Sequence, residues 1–541
     1  MSDNQANPQQ VSRYALEGRV VTIDSSFTVF EKGTVYVDGG RIASVAPTGA
    51  PPPPGFQDAP VIGTRGTIYP GLIDLHNHLS YDALTLWQVP QAYTNRDQWG
   101  RHPDYRKLIS GPMSVLGKTP GFVEAVVRYV ECKCLLGGVT TAQGVALFSN
   151  QGITRYYRGV VRNVEETGED DLPDAATKIS DVEAEDAEKF LEHLQNSSCL
   201  LLHLSEGTDE RARAHFEALR LANGTWAITP ALAGIHCVAL QPEDFDVLAE
   251  NGGSMVWSPL SNLLLYGQTA DVGAAIESGV RIALGSDWSP SGSKSLLGEL
   301  KAARLVAAES GIDLSDRELL AMATQDAARI LKWDEALGSI EAGKRADLTV
   351  IYGRSTDPYA GLLEARETEI ALVVIDGVPR IGNERLMGHF GPGTEPWRVG
   401  SAERTLNLSQ QTADPVVGAL TLREARDRLR DGLGHLPELA RQLEEVAPEA
   451  LAGAGPQWSL LLDHEEPLGT AIRPHFSPDL AGEATTPRLA EVMAVQVPLS
   501  ELLISLRLDP LTVSDDGAFF GRLVEESNLP DYVSEGLPAL F

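Results

Sequence analysis

The sequence predicts an α/β protein built around a (β/α)8 barrel, with short-strand segments on both sides of the barrel and a helical extension behind them. Three features point there. From about residue 67 to 333, amphipathic helical stretches alternate with short, continuous apolar runs of the kind found in strands buried on both faces. About eight such units fit in that span, the number that closes a barrel. Several apolar runs end in histidine or aspartate, at the strand end where barrel enzymes do their chemistry.

The elements follow in order. Residues 1–13 form a polar tail, expected to be disordered and lacking the apolar stretch of a signal peptide. "YALEGRVVTID", "GTVYVDGG" and "RIASVAP" read as strands, with Asp38-Gly39-Gly40 as a hairpin turn. "GAPPPPG" is a stiff extended break, and "TIYPGLIDLHNH" a strand that enters the barrel. "GFVEAVVRYVECKCLLGG" is a helix before the strand "VTTAQGVAL". "GVVRNVEE" reads as a third strand, and the fourth is placed near "ATKISD" (176–181). Helix "DVEAEDAEKFLEHLQNS" then leads to strand "CLLLHLSEG", and "TDERARAHFEALRLANG" to "WAITPALAGIHC". "PEDFDVLAENGG" precedes "SMVWSPLS", and "TADVGAAIESGV" precedes "RIALGSDWSPSG". Two helical stretches close the barrel region. "GSIEAGKRADLTVIYG" and "IALVVIDGVPRIG" then return to short strands with Gly turns, and from about residue 395 helices and Pro-rich loops alternate.

Composition excludes several classes of function. With 75 Asp and Glu against 44 Lys and Arg, the 541-residue chain carries a formal net charge of −31. Such a surface repels nucleic acid and anionic membranes, which leaves a small molecule as the expected partner. No run approaches the ~20 apolar residues of a membrane span. Four cysteines make no disulfide framework, and Cys132-Lys133-Cys134 reads as buried thiols on a helix, so a reducing cytoplasm is expected.

The chemistry-bearing residues sit at strand ends. His76 and His78 in "GLIDLHNHLS" are two apart, so on a strand they project to one side. Alone, such a pair reads equally well as two polar residues ending a strand. His203 ends another run with Glu206 three residues on, His236 follows the next, and Asp287 ends "RIALGSD". Three imidazoles and a carboxylate suit Zn²⁺ or Fe²⁺ with a position left for water. A metal of this kind brings the pKa of water towards ~7, and a nearby carboxylate can carry off the proton.

The motifs "PGLIDLHNH", "GGVTT", "HLSE", "IHCVAL", "SPLSN" and "LGSDW", followed by "LGSIEAGKRADLTVI", are where the chain resembles a known family. Over about residues 14–385 it is similar to the amidohydrolase superfamily, in its aminohydrolase and chlorohydrolase branch of deaminases. The resemblance implies a distorted (β/α)8 TIM barrel over residues 67–333. A small β-sandwich domain is implied from both flanking segments, 14–66 and 334–394. The largely helical accessory region at 395–541 could cap the barrel or build a homodimer interface. The resemblance further implies that His76, His78, His203 and Asp287 ligate one divalent metal ion, Zn²⁺ before Fe²⁺ or Mn²⁺. Glu206 would be the general acid/base, and His236 would hydrogen-bond the attacking water or the developing oxyanion. Asp287 would also accept the water's proton. Binuclear relatives use a carboxylated lysine at the fourth strand; Lys178 lies early there, and one metal is expected.

Two stretches depart from the family. Trp257 and Ser258 in "VWSPLSN" stand where deaminases of this branch carry His-Cys or His-Asn before proline. The segment at 79–111 does not match either; its Trp87, Gln88, Trp99, Arg101, His102 and Tyr105 are candidate substrate contacts from a lid, together with Trp257 and Trp288. The equal alternative is a surface excursion packing its aromatics on the barrel. The expected activity is metal-dependent hydrolysis of a C–N bond in a small cyclic or amidine-like substrate. Glu206 favours deamination over dechlorination, because an amine leaves poorly without a proton. Amide or lactam hydrolysis is the alternative. A non-catalytic binding or assembly protein is a third reading, against which the full ligand set counts.

Overall fold

The computed structural model describes residues 12–178, 187–353, 355–391, 393–411, 413–445, 457–463 and 497–541. Eight short parallel strands hold its centre: Leu72–Asp74, Val139–Ala142, Arg162–Asn163, Ala176–Lys178, Leu200–Leu204, Leu232–His236, Ser254–Trp257 and Arg281–Leu284. They pair as an arc of three and an arc of five. At one seam the arcs meet through an Asn77–Asp287 bridge, with Asp287 N donating to His76 O at 2.9 Å. At the other seam Ala175 N donates to Val164 O at 2.8 Å. The result is a distorted barrel with two weak seams.

Strand period decides what faces inward. Leu201, Ala233, Ile235, Val256 and Ala283 share one apolar cluster with Ala327, Ile330 and Trp333, while Leu200, Leu202 and Leu204 pack in another. His203 continues the row of Leu201, so a purely local alternation carries it inward. Gly285 lets the first and eighth strands close: a Cβ there would lie 2.5 Å from His76 Cβ. This is a close approach of backbones that only glycine permits.

The flanking strands form a single nine-stranded sheet. Arg13–Val21, Val29–Asp38, Arg41–Pro47 and Val61–Pro70 join Leu348–Tyr352, Ile370–Ile375 and Val378–Gly382. The two segments meet where Leu348 pairs with Pro70. Tyr14, Val35 and Val37 share one core with Val350, Leu372 and Val374, so the sheet curls around apolar residues from both segments. Gly39 and Gly40 make the hairpin between Asp38 and Arg41, Gly39 at φ 58°.

Several expectations shift. Arg13 already begins a strand, so the tail expected over 1–13 is shorter; its residues 1–11 lie outside those described, as do 179–186. The strand read through "VTTAQGVAL" is two, Val139–Ala142 and Ala146–Ser149. The chain turns between them because Gln143 is drawn to His76 and Asn77, and because a Cβ at Gly144 would meet Asn163 Cβ at 2.8 Å. The large sheet also takes Glu395–Val399 and Ala402–Leu406 from beyond residue 394.

The described residues after 395 pack against the barrel's outer layer. Helix Leu422–Gly434 lies against helix Val123–Leu136, whose Arg128 Nε donates to Leu420 O at 3.0 Å. Leu429, Leu460, Phe519 and Leu537 belong to the same apolar cluster as Leu202 and Trp288. The fully buried Asp509 binds Lys133 at 2.7 Å through one oxygen and Lys294 through the other. Buried charges of this kind are tolerable only as a paired set. Cys132 and Cys134 are buried on the helix beside Lys133, and burial pushes both thiols well above their ordinary value. Among the described residues no helix is long and apolar enough to cross a membrane.

Candidate metal centre

Four imidazoles and one carboxylate converge at the carboxyl ends of strands one, five, six and eight. The possible ligand atoms of His76, His203 and His236 lie within 4.8 Å of one another, and so do those of His76, His78 and Asp287. The rings of His78, His203 and His236 pack around His76 at centroid distances of 4.9, 4.7 and 5.1 Å. Backbone strain marks the spot: Ser205, His236, Cys237 and Asp287 all adopt positive φ, at 51°, 69°, 54° and 61°. Non-glycine residues in this region cost free energy and cluster at functional sites.

Partners behind the rings fix which nitrogen faces the centre. Gln143 Oε1 accepts the Asn77 backbone N–H at 2.9 Å, which fixes the amide orientation. The same oxygen lies 2.9 Å from His76 Nδ1, so Nδ1 carries the proton and Nε2 presents its lone pair. That Nε2 is buried without a hydrogen-bond partner and faces Asp287 Oδ1 at 3.1 Å. Two electron-rich atoms so placed need a cation between them. His78 Nε2 and His203 Nε2 face each other at 3.3 Å, and a second pair of nitrogens converges in the same way. The donor set fits a divalent ion of the zinc class.

His236 is ordered by a chain of three residues. Trp257 Nε1, which can only donate, gives its proton to Thr269 Oγ1 at 2.7 Å. Asn262 Nδ2 donates to the same hydroxyl at 3.2 Å, which turns Asn262 Oδ1 towards His236 Nδ1 at 2.9 Å. His236 Nε2 is thereby left as an acceptor. Ser261, one residue away on helix Pro259–Tyr266, donates to Asp287 Oδ2 at 2.5 Å. Glu206 accepts the Tyr266 hydroxyl at 2.7 Å, while Trp99 Nε1 donates to that hydroxyl at 2.9 Å. Arg96 Nε stands 3.5 Å from the other Glu206 oxygen, and His236 Nε2 stands 3.8 Å from it.

Electrostatics separate the imidazoles. Burial pushes His203 and His236 below the ordinary value and keeps them neutral, as ligands require. Burial also opposes charge on His78, but Asp463, bonded to its Nδ1, and then Asp287 hold it up to about 9. Despite burial, positive charge among the facing imidazoles, His76 first, holds the Asp287 carboxyl below the usual range, and a bound cation takes over that part when the rings are neutral.

A pocket opens in front of this cluster. Beyond the cluster it is lined by Tyr81, Arg96, Trp99, Tyr105, Leu265 and Trp288, together with Asp463. Of the lid candidates, Trp99 and Tyr105 reach it, with rings 5.8 and 6.2 Å from Trp288. Trp87 is buried behind Tyr105, at 6.0 Å between rings. His102 caps the short helix Pro103–Tyr105 by accepting from Asp104 N. Gln88 and Arg101 are exposed and do not line the pocket, and the buried Trp257 stands behind His236. Sequence reasoning passed over Gln143, Ser261, Asn262, Arg96, Tyr266 and Asp463. "SPLSN" and "VTTAQG" contain the first three, but only the folded chain brings them behind His76, His236 and Asp287.

Glu299 supports this scaffold from below. It accepts Leu260 N at 2.8 Å and Ser293 Oγ at 2.6 Å, and burial pushes its carboxyl up to about 8. A raised carboxyl stabilises the fold fully below its unfolded value of 4.5, and that stabilisation is lost as pH climbs towards 8. Glu299→Gln, which resembles the protonated acid, should therefore gain melting temperature on wild type as pH rises across this window. A difference that stays constant with pH would contradict the assignment.

Comparison with known proteins agrees with this geometry. The Amidohydrolase family profile matches residues 170–379, the stretch that delivers His203, Glu206, His236 and Asp287. A 5-methylthioadenosine/S-adenosylhomocysteine deaminase of Desulforudis audaxviator is 26% identical over 422 residues, covering 70% of this chain and 92% of its own. These matches support the amidohydrolase superfamily, in its deaminase-like branch. A 5'-deoxyadenosine deaminase of Methanothermobacter thermautotrophicus is 25% identical over 386 residues, covering 64% of this chain and 88% of its own. The zinc complex of atrazine chlorohydrolase from Arthrobacter aurescens shares the fold, with a TM-score of 0.52 and 21% identity over 69% of this chain and 96% of that one. The family match and these relatives support a metal-dependent hydrolase of carbon–nitrogen bonds.

Proposed function

We propose that this protein deaminates a small, planar, amino-substituted nitrogen heterocycle of the adenine-derivative kind, using one zinc ion held by His76, His78, His203 and Asp287. The observation that carries the reading is the placement of Glu206. It lines the pocket beside the imidazole cluster, is fixed by Tyr266 and Arg96, and is too far from His236 to be neutralised by a hydrogen bond. A zinc ion in this donor set supplies Lewis acidity and makes water nucleophilic at neutral pH.

The chain's own residues account for the rest. His236 Nε2, a bare acceptor, orients the attacking water by taking a hydrogen bond from it. Asp287, held as an anion, accepts a proton from that water. Glu206 takes the other proton of that water and delivers it to the departing nitrogen, so that ammonia rather than amide ion leaves, and the proton on Asp287 ends on the product's ring nitrogen. Trp99, Tyr105 and Trp288 form an aromatic wall suited to a flat ring. The deaminases of adenosine derivatives among its relatives favour the same substrate class.

The test is ammonia release by zinc-loaded protein across aminopurines and their nucleosides, aminated triazines, amides and lactams. Turnover of an aminopurine derivative is the expected result. Ring opening of a lactam without ammonia would replace deamination by amide hydrolysis, and protein that holds no stoichiometric metal would remove the reading.

A further inference from the structure

We propose that Asp463 of the accessory region is a positioning residue for His78, so that the chain after residue 395 completes the metal centre. The inference rests on the reading of His78 as a ligand. His76 and His236 are oriented by neutral amides from the barrel, Gln143 and Asn262. His78 is different: its Nδ1 is bonded to the Asp463 carboxylate. With Nδ1–H given to a carboxylate, Nε2 presents a lone pair of raised basicity towards His203 and Asp287.

The arm bearing Asp463 is itself fixed. Strand Trp458–Leu460 pairs antiparallel with Ala146–Ser149, and Leu461 N donates to Ala146 O at 2.9 Å. Leu460 is buried against Gly117, where a Cβ would lie 3.0 Å from the leucine's own. Asp463 follows two residues beyond this anchor. It lines the pocket in front of the cluster and also a neighbouring one, and His78 and His203 line both. One carboxylate therefore holds a ligand and shapes both spaces next to it.

Zinc affinity by chelator competition tests this on full-length wild type, Asp463→Ala and Asp463→Asn, with melting of the metal-free proteins in parallel. Asp463→Ala should bind zinc about 10–100-fold more weakly, the usual effect of losing a partner behind a ligand. Asp463→Asn, whose amide oxygen still accepts from Nδ1, should recover most of that affinity. The metal-free variants should still melt in one cooperative transition, because the strand and Leu460 hold the arm without Asp463, with Asp463→Ala lowered only by the loss of its ion pair with His78. Equal affinity in all three proteins would overturn the proposal. Loss of the cooperative metal-free transition in the variant that loses affinity would also overturn it, as the mark of a structural role. Wild type that takes up no zinc would instead reject the metal centre, and this proposal with it.

Discussion

Glu206→Gln should lower kcat by about 10²–10⁴ while leaving zinc content and KM close to wild type. The side chain is buried among Tyr266, Arg96 and His236, and glutamine fills the same volume while still accepting the Tyr266 hydroxyl. What it loses is the capacity to take and return a proton. Arg96 keeps its place at the pocket wall but faces a neutral amide. Metal analysis beside steady-state kinetics separates the outcomes. Loss of zinc with activity would make Glu206 part of the ligand set, and unchanged kcat would remove it from proton transfer.

Asp287→Asn should cost zinc affinity by more than the ~100-fold typical of a residue behind a ligand, and activity with it. Asparagine is among the residues that tolerate left-handed backbone, so φ 61° is kept, and its amide oxygen can still accept from Ser261. The fold should therefore survive, and circular dichroism should be unchanged. The negative charge that opposes the lone pair of His76 disappears. Addition of excess zinc should restore binding only in part and should not restore the rate, since asparagine accepts no proton. Recovery of full activity at high zinc would reduce Asp287 to a ligand alone.

Much of this was legible in the sequence because of where the residues fall. His203, His236 and Asp287 end apolar runs, and a buried parallel strand leaves few places for such residues other than the mouth of a barrel. The short strands and Gly turns on both sides were visible, but the expected β-sandwich is a single nine-stranded sheet, because Val61–Pro70 pairs directly with Leu348–Tyr352. The orienting partners were not. Ser261 and Asn262 point back at Asp287 and His236 only because helix Pro259–Tyr266 starts straight after its strand, and Gln143 matters only because the chain turns after Ala142. Trp257 drew attention as an unusual residue at a strand end, yet its ring is buried and acts through Thr269. Asp463 gave no local signal: its pairing with His78 joins remote parts of the chain.

The twin salt link of Asp509 sets an order on synthesis. Lys133 and Lys294 are both made long before Asp509, and both are buried in the finished molecule. Until the segment bearing Asp509 is made, the carboxylate that pairs with both cations is missing, and burying them without it is costly. Barrel and accessory region are therefore a poor pair to exchange among other proteins as separate modules, since each half carries the counter-charge of the other.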